Sequence, residues 1–202
     1  AYDFIGALGH KIIPPIPSLF TFNDYDRSFT DLMGISVPSA EVRITGSRFK
    51  QRGPLLITHW GLSGPAVIKL SAWAAQHLYD VKYDFNVLVS WIGSRSEEEM
   101  RALLHAQKTE RRKQLVHSHP MFDLPQRLWT KLCDNSEIEP ERVWGDISNR
   151  SLNKLLENLI RCPFHIKGKT TFKEEFVTCG GVDLSEIDPA TLQSKLTPNV
   201  FF

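Results

Sequence analysis

The residues with the strongest claim to chemistry are Thr58, His59, Gly61, Ser63 and Gly64, inside LLITHWGLSGPAVIKLSAWAAQ from Leu55 to Gln76. His59 closes a β-prone run and has a side chain that titrates near neutrality, so it is a candidate acid–base group or anion ligand; the alternative is a structural ring bonded to a backbone carbonyl. Gly61 and Gly64 permit close approach to the main chain. Pro65 opens a helix whose unpaired first-turn N–H groups favour an anion, although such a turn is also commonly just packed. Ser63 does not form a nucleophile elbow, because Gly64 and Pro65 follow it directly and that motif needs a glycine two positions on. No phosphate-loop or dinucleotide fingerprint is present.

Gly180 and Gly181, after a predicted strand, invite approach by a ligand or simply turn the chain. His117 and His119, with His105 and Asp123 near in sequence, match no strong metal-ligand spacing and read as a solvated interhelical loop, so no metal is expected. Lys108, Arg111, Arg112 and Lys113 form a basic run that Glu110 interrupts, without interleaved aromatics. It reads as a solvated helix face. No nucleophile has a local base, and the catalytic residue is unassigned, with His59 the candidate.

The elements that must position these residues predict an α+β chain. Val67, Leu70, Ser71, Ala74 and Leu78 recur at helical spacing, giving one small-residue face to lie on a sheet. His10 to Phe22 is strand-like, with Pro14, Pro15 and Pro17 confining it to an edge or an extended crossing. Val37 to Ile44 and Val81 to Trp91 alternate as strands, so Lys11 to Ile92 predicts a small barrel-like sheet carrying one packed helix. Ser96 with Glu97, Glu98 and Glu99 forms a capping box, Asp123 to Gln126 starts a second helix, and Ser148 caps a third with Leu152, Leu155, Leu156, Leu159 and Ile160 on one face. Strands return at Phe164 to Lys167 and Glu175 to Cys179.

The predicted organisation is a helix end over 1–10, a β-rich domain over 11–93, an all-helical subdomain over 94–161, returning strands over 162–178 and a final segment over 179–202. The chain opens without Met inside an uncapped helix and closes on the apolar Val200, Phe201 and Phe202, which reads as a piece cut from a longer polypeptide.

The 202 residues suffice for a real core. Twenty-four Lys and Arg against 23 Asp and Glu give a net charge of +1, so no global field draws nucleic acid or anionic membrane, and neither is expected as a partner. The apolar runs fall short of the ~20 residues that span a bilayer. Cys133, Cys162 and Cys179 indicate neither a disulfide framework nor a zinc cluster, so a soluble protein of a reducing cytoplasm is expected.

Three segments together resemble the aminoacetone-oxidase or BaiN-type FAD-dependent oxidoreductases, also described as NAD(FAD)-utilizing dehydrogenases. They are LGHKIIPPIPSL (Leu8–Leu19), LLITHWGLSGPAVIKLS (Leu55–Ser71) and FVTCGGVDLSEIDPATLQSK (Phe176–Lys195). Ile57 stands where the family has Phe, and Leu192 and Gln193 replace the Met and Glu of its last box. The family's glycine-rich dinucleotide motif is missing. The resemblance implies a region inserted into a larger FAD-binding protein and covering the substrate side of the flavin. It implies FAD in the parent with none held by this piece alone, the FAD-binding domain as partner, and a small-molecule substrate. It also places Thr58, His59, Gly61, Ser63 and Gly64 at the substrate-side cleft and Gly180 and Gly181 near the cofactor. The rival is a non-enzymatic module that recognises protein or nucleic acid.

Overall fold

Two strands that lie about 160 residues apart in sequence begin and end the body of the fold. They are β1 (Ile12–Ser18) and β8 (Val177–Val182), paired antiparallel from Ile12 opposite Val182 to Ser18 opposite Val177. The computed structural model describes residues 2–168 and 177–202. β1 therefore belongs to a separate two-stranded ribbon, outside the barrel into which the alternation from Lys11 onward was expected to place it. Pro14, Pro15 and Pro17 lack N–H donors, and a ladder of two strands tolerates them where a barrel strand bonded on both edges would not. A helix, α1 (Tyr2–Ala7), precedes β1. Glu175 and Phe176, the expected start of the last strand, fall outside the described residues.

The barrel has six strands: β2 (Phe22–Asn23), β3 (Ser36–Ile44), β4 (Lys50–Ile57), β5 (Gly61–Ser63), β6 (Asp84–Ser90) and β7 (Cys162–Lys167). Their order is β2-β5-β4-β3-β6-β7. Asp24 bridges to Ile166, and the Tyr25 amide donates to His165 O at 2.8 Å, so the last strand closes on the first. Closure leaves no barrel edge free for aberrant pairing. Alternation then sends Phe22, Val42, Ile44, Leu55, Ile57, Leu62, Val87, Val89 and Ile166 inward, all essentially without exposure.

The predicted small-residue face is buried in full at Val67, Leu70, Ser71, Ala74 and Leu78. The helix is broken, however, into α2 (Pro65–Trp73) and α3 (Ala75–Asp80), because Ala74 leaves helical geometry at φ −98°, ψ 8°. Ser71 Oγ accepts the Phe20 amide at 2.9 Å and donates to Ile68 O, tying the chain between β1 and β2 to the helix. Strand β6 begins at Asp84, three residues later than its alternation predicts. Val81 still closes α3, and Lys82 and Tyr83 turn through positive φ.

Helices α4 (Glu97–Glu110), α5 (Gln126–Asn135) and α6 (Asn149–Ile160) form the helical part. Ser96 Oγ accepts the Glu99 amide and Ser148 Oγ the Ser151 amide, as their capping patterns predict. Trp129 and Trp144 pack with Leu104, Leu128, Leu155 and Leu159, and this cluster runs without a break into the barrel core through Trp91, Phe29 and Phe164. The barrel and helices thus share one core.

Gly61 sits where β5 crosses β2. A Cβ there would lie 2.3 Å from Phe22 O and 2.5 Å from the Asp24 nitrogen, and its φ of 150° is one that side chains rarely adopt. Gly61→Ala is expected to cost about 2–4 kcal/mol in urea unfolding. Gly46→Ala, with positive φ but nothing within 4 Å, should cost only about 1–2 kcal/mol; equal losses would refute the packing argument.

Candidate functional site

The chain reverses between β4 and β5 over 58–61, three residues earlier than the turn over Gly61 to Gly64 that the glycines suggest. Gly61 to Ser63 is therefore barrel strand. Thr58 fixes the reversal three times: its amide donates to Gly61 O at 2.8 Å, its hydroxyl donates to the same oxygen, and its hydroxyl accepts the Gly61 amide at 3.1 Å. His59 stands exposed at the tip, its ring centroid 4.3 Å from that of Trp60 and edge-on to it. Trp60 Nε1 donates to Thr21 Oγ1, which anchors the pair to the start of β2. The backbone-carbonyl anchor considered for His59 is not made among the described residues.

Ser63 is half-buried opposite Leu56. Gly64 precedes α2 at φ 94°, and a Cβ on it would lie 2.8 Å from Pro54 O. The start of α2 is thus laid on β4, where Ala66 and Val67 are buried. Gly180 pairs closely with the ribbon strand, since a Cβ would meet Pro14 O at 2.8 Å, whereas one on Gly181 would meet only the Tyr2 ring at 3.9 Å. Close backbone packing explains Gly61, Gly64 and Gly180. Gly181 alone keeps space beside it.

At the base of the ribbon the structure brings together three residues that nothing local in the sequence links. His10 is buried, with Nδ1 2.9 Å from Glu186 Oε2 and Nε2 2.9 Å from Ser194 Oγ. Ser194 Oγ already accepts the amides of Leu196 (3.0 Å) and Thr197 (2.8 Å), so its own proton points at Nε2 and the Nδ1–H is left for Glu186. The order resembles a serine–histidine–acid triad. Ser194 is buried with its lone pairs engaged, which suits a clasp and not a nucleophile. Beside it Lys11 Nζ reaches Asp183 at 3.0 Å, and the Lys11 amide donates to Glu186.

A second concave region follows the seam between the barrel and the helices. One cleft of about 390 Å³ is lined by Ser39, Arg52, Arg95, Phe122 and their neighbours, and an adjoining one of about 270 Å³ by Arg43, Lys50, Arg95 and Arg161. Arg52 donates Nε to Ser39 Oγ (3.0 Å) and Nη1 to Ser94 Oγ (2.9 Å). The Arg95 guanidinium lies 5.3 Å over the Phe122 ring. Arg101 and Arg161 bond Glu97 and hold its carboxyl below its ordinary range. Sequence reading overlooked Arg52 and Arg95; the available signal was a lone arginine in each of QRGP and GSRS, flanking glycine at strand ends.

His117 is buried and donates Nε2–H to Ile138 O at 2.9 Å, a structural role. Among the described residues no group of three or more His, Cys, Asp or Glu side chains is placed to hold a metal ion. No helix among them is long and apolar enough to cross a membrane. Cys133 and Cys162 are free thiols that burial pushes up to about 12, so neither is a ready thiolate.

Residues 16–177 match the family model described as HI0933-like protein barrel and H2TH domain. The chain is 29% identical over 204 residues to the ribosomal RNA dihydrouridine synthase of Haemophilus influenzae, covering 100% of this chain and 47% of that protein. It is 25% identical over 205 residues to the ribosomal RNA dihydrouridine synthase of Escherichia coli (100% and 48%). It is 20% identical over 202 residues to the 3-dehydro-bile acid delta(4,6)-reductase of Clostridium scindens (99% and 49%). The chain spans about half the length of the curated relatives it matches.

The clasp region makes a prediction of its own. The Ser185 amide, the Lys11 ammonium and the Ser185 hydroxyl lower the Asp183 carboxyl from 3.8 to about 2. A depressed folded-state value stabilises fully above the unfolded one and is lost as pH falls through the folded one. Between about pH 4 and pH 2 Asp183→Asn should therefore show a shallower acid loss of the urea midpoint than the native chain, and parallel curves would refute the pairing.

Proposed function

This chain belongs to the family of HI0933-like proteins with a barrel and H2TH domain, and we propose that in its parent protein it is the substrate-side region of a FAD-dependent oxidoreductase. The ribbon is the observation that carries this reading: β1 and β8 pair along their length, so the barrel and helices hang from one two-stranded stem. Such a stem suits a region inserted into another domain. The clasp of His10, Glu186 and Ser194 fixes the base of that stem, and the relatives' greater length leaves room for the FAD-binding domain. A cytoplasmic setting agrees with the three free cysteines.

In this reading the dinucleotide is held by the rest of the parent protein. No glycine-rich fingerprint occurs in the sequence, and of Gly180 and Gly181 only Gly181 has free space beside its backbone. When bound, FAD supplies the hydride chemistry, and this region contributes shielding from water and placement of the substrate. His59, held out by Thr58 without a hydrogen bond of its own among the described residues, is the side chain we assign to that surface, with Gly61, Ser63 and Gly64 shaping its support.

For the substrate, the two relatives of higher identity are named for ribosomal RNA and the third for a bile acid. We take a uridine in RNA as the reading, in place of the small molecule that the family resemblance implied and of the absence of a nucleic-acid partner expected from the net charge. The purely non-enzymatic module has less support. Its basic run is broken up, because Lys108 turns inward to Ile147 O at 2.8 Å and Arg112 packs beside Gly145.

Two measurements test this. The chain of residues 1–202 alone should show no stoichiometric FAD binding in a fluorescence titration; tight binding would overturn the division of labour. In the flavin-loaded parent, His59→Ala should lower kcat by roughly 10-fold with the melting temperature unchanged. Unchanged kinetics would remove His59 from the site.

A further inference from the structure

We propose that the seam between barrel and helices holds a phosphodiester of the RNA substrate through Arg52 and Arg95, at a distance from the reacting base. The proposal rests on the RNA reading above. Both guanidiniums are pre-organised by neutral contacts: Arg52 by the hydroxyls of Ser39 and Ser94, Arg95 by the Phe122 ring. No carboxylate pairs with either one among the described residues, whereas the neighbouring Arg101 and Arg161 are both spent on Glu97. Two arginine forks held by neutral contacts and bonded to no carboxylate among the described residues, facing a cleft of about 390 Å³, have the geometry of an oxyanion receptor.

Glycine packing supports the placement of Arg52. A Cβ on Gly93 would lie 2.9 Å from Arg52 Nη2, so the absence of a side chain at 93 is what lets the guanidinium lie against the turn after β6. Glu99 and Asp123 also line the cleft. The site therefore offers two directed forks and no broad positive field, which suits one phosphodiester on a large ligand better than a free polyanion. This is also compatible with a chain whose net charge is only +1.

Distance favours a polymer. Arg52 and Thr58 lie on β4 and at its end, six residues apart, so about 20 Å separates the cleft from the turn that carries His59. A single small molecule bound at the turn does not reach the arginines. An RNA strand or hairpin does.

The test uses the full-length, flavin-loaded parent and deproteinised ribosomal RNA, with binding followed across a KCl series. Arg52→Gln combined with Arg95→Gln should weaken binding about 10-fold and reduce the salt slope by about 1–2. Arg150→Gln, on an exposed residue of α6 outside the seam, should leave both unchanged. FAD content and melting temperature confirm folding, and Arg95→Gln alone, which removes only a surface contact with Phe122, serves if the double variant unfolds. If the parent binds RNA while the variants keep wild-type affinity and slope, the cleft assignment is overturned and the RNA reading survives. If the flavin-loaded parent does not bind RNA even at low salt, the RNA reading falls and the cleft assignment with it.

Discussion

The approach of one backbone to another at Gly61 is the constraint on which the molecule depends. Phe22 O and the Asp24 nitrogen occupy the space a side chain would need, and this contact brings β2 onto β5. The same short segment then reaches the other way, as Asp24 bridges Ile166 and Tyr25 donates to His165. Only two residues of regular strand thus join both sides of a six-stranded barrel. Without that join β2 would be free, β7 would present an unpaired edge, and the reversal at 58–61 would lose the neighbour that holds Trp60.

Burial makes the barrel and helices inseparable. Trp91 packs against both Phe29 and Phe164, which also touch each other, and its amide donates to Leu159 O, so the last turn of α6 is bonded to the end of β6. A helical unit with its own core could swing on its linkers. Here the leucines of α6 pack on both sides of the seam, and the arginine cleft is consequently a fixed feature of the surface.

Much of this was legible in the sequence, and what was not has identifiable reasons. Period-two alternation at 37–44 and 84–90 and the leucine stripe of α6 each report a single burial environment, so they could be read locally. The capping serines at 96 and 148 signal through residues three positions away. Barrel closure rests on pairings between residues more than 100 positions apart, through strands of two or three residues too short to show a period. A glycine needed for ligand approach and one needed for backbone packing look alike in sequence, so the close packing at Gly61, Gly64 and Gly180 could not be read there. The clasp of His10, Glu186 and Ser194 joins residues about 180 positions apart, and Arg52 and Arg95 acquire meaning only when the β3–β4 hairpin meets the turn before α4.

Those long-range pairings also explain how the parts divide their work. The stem is held by buried, directional bonds at His10 and Ser194, the sort of contact that fixes an angle; the turn at His59 is held by Thr58 and by Trp60 on Thr21 and leaves the His59 side chain to solvent; the seam keeps two arginines that, among the described residues, are held by hydroxyls and a ring and by no carboxylate. An uncompensated charge costs little at the rim of a cleft where water reaches it, and it is retained there at no expense to the core. Rigid strand β4 links the last two sites at a set spacing, so a ligand that touches both must be long enough to span them. A barrel is well suited to that task, because closure prevents the strand from sliding in register and the spacing between grip and reaction point stays constant.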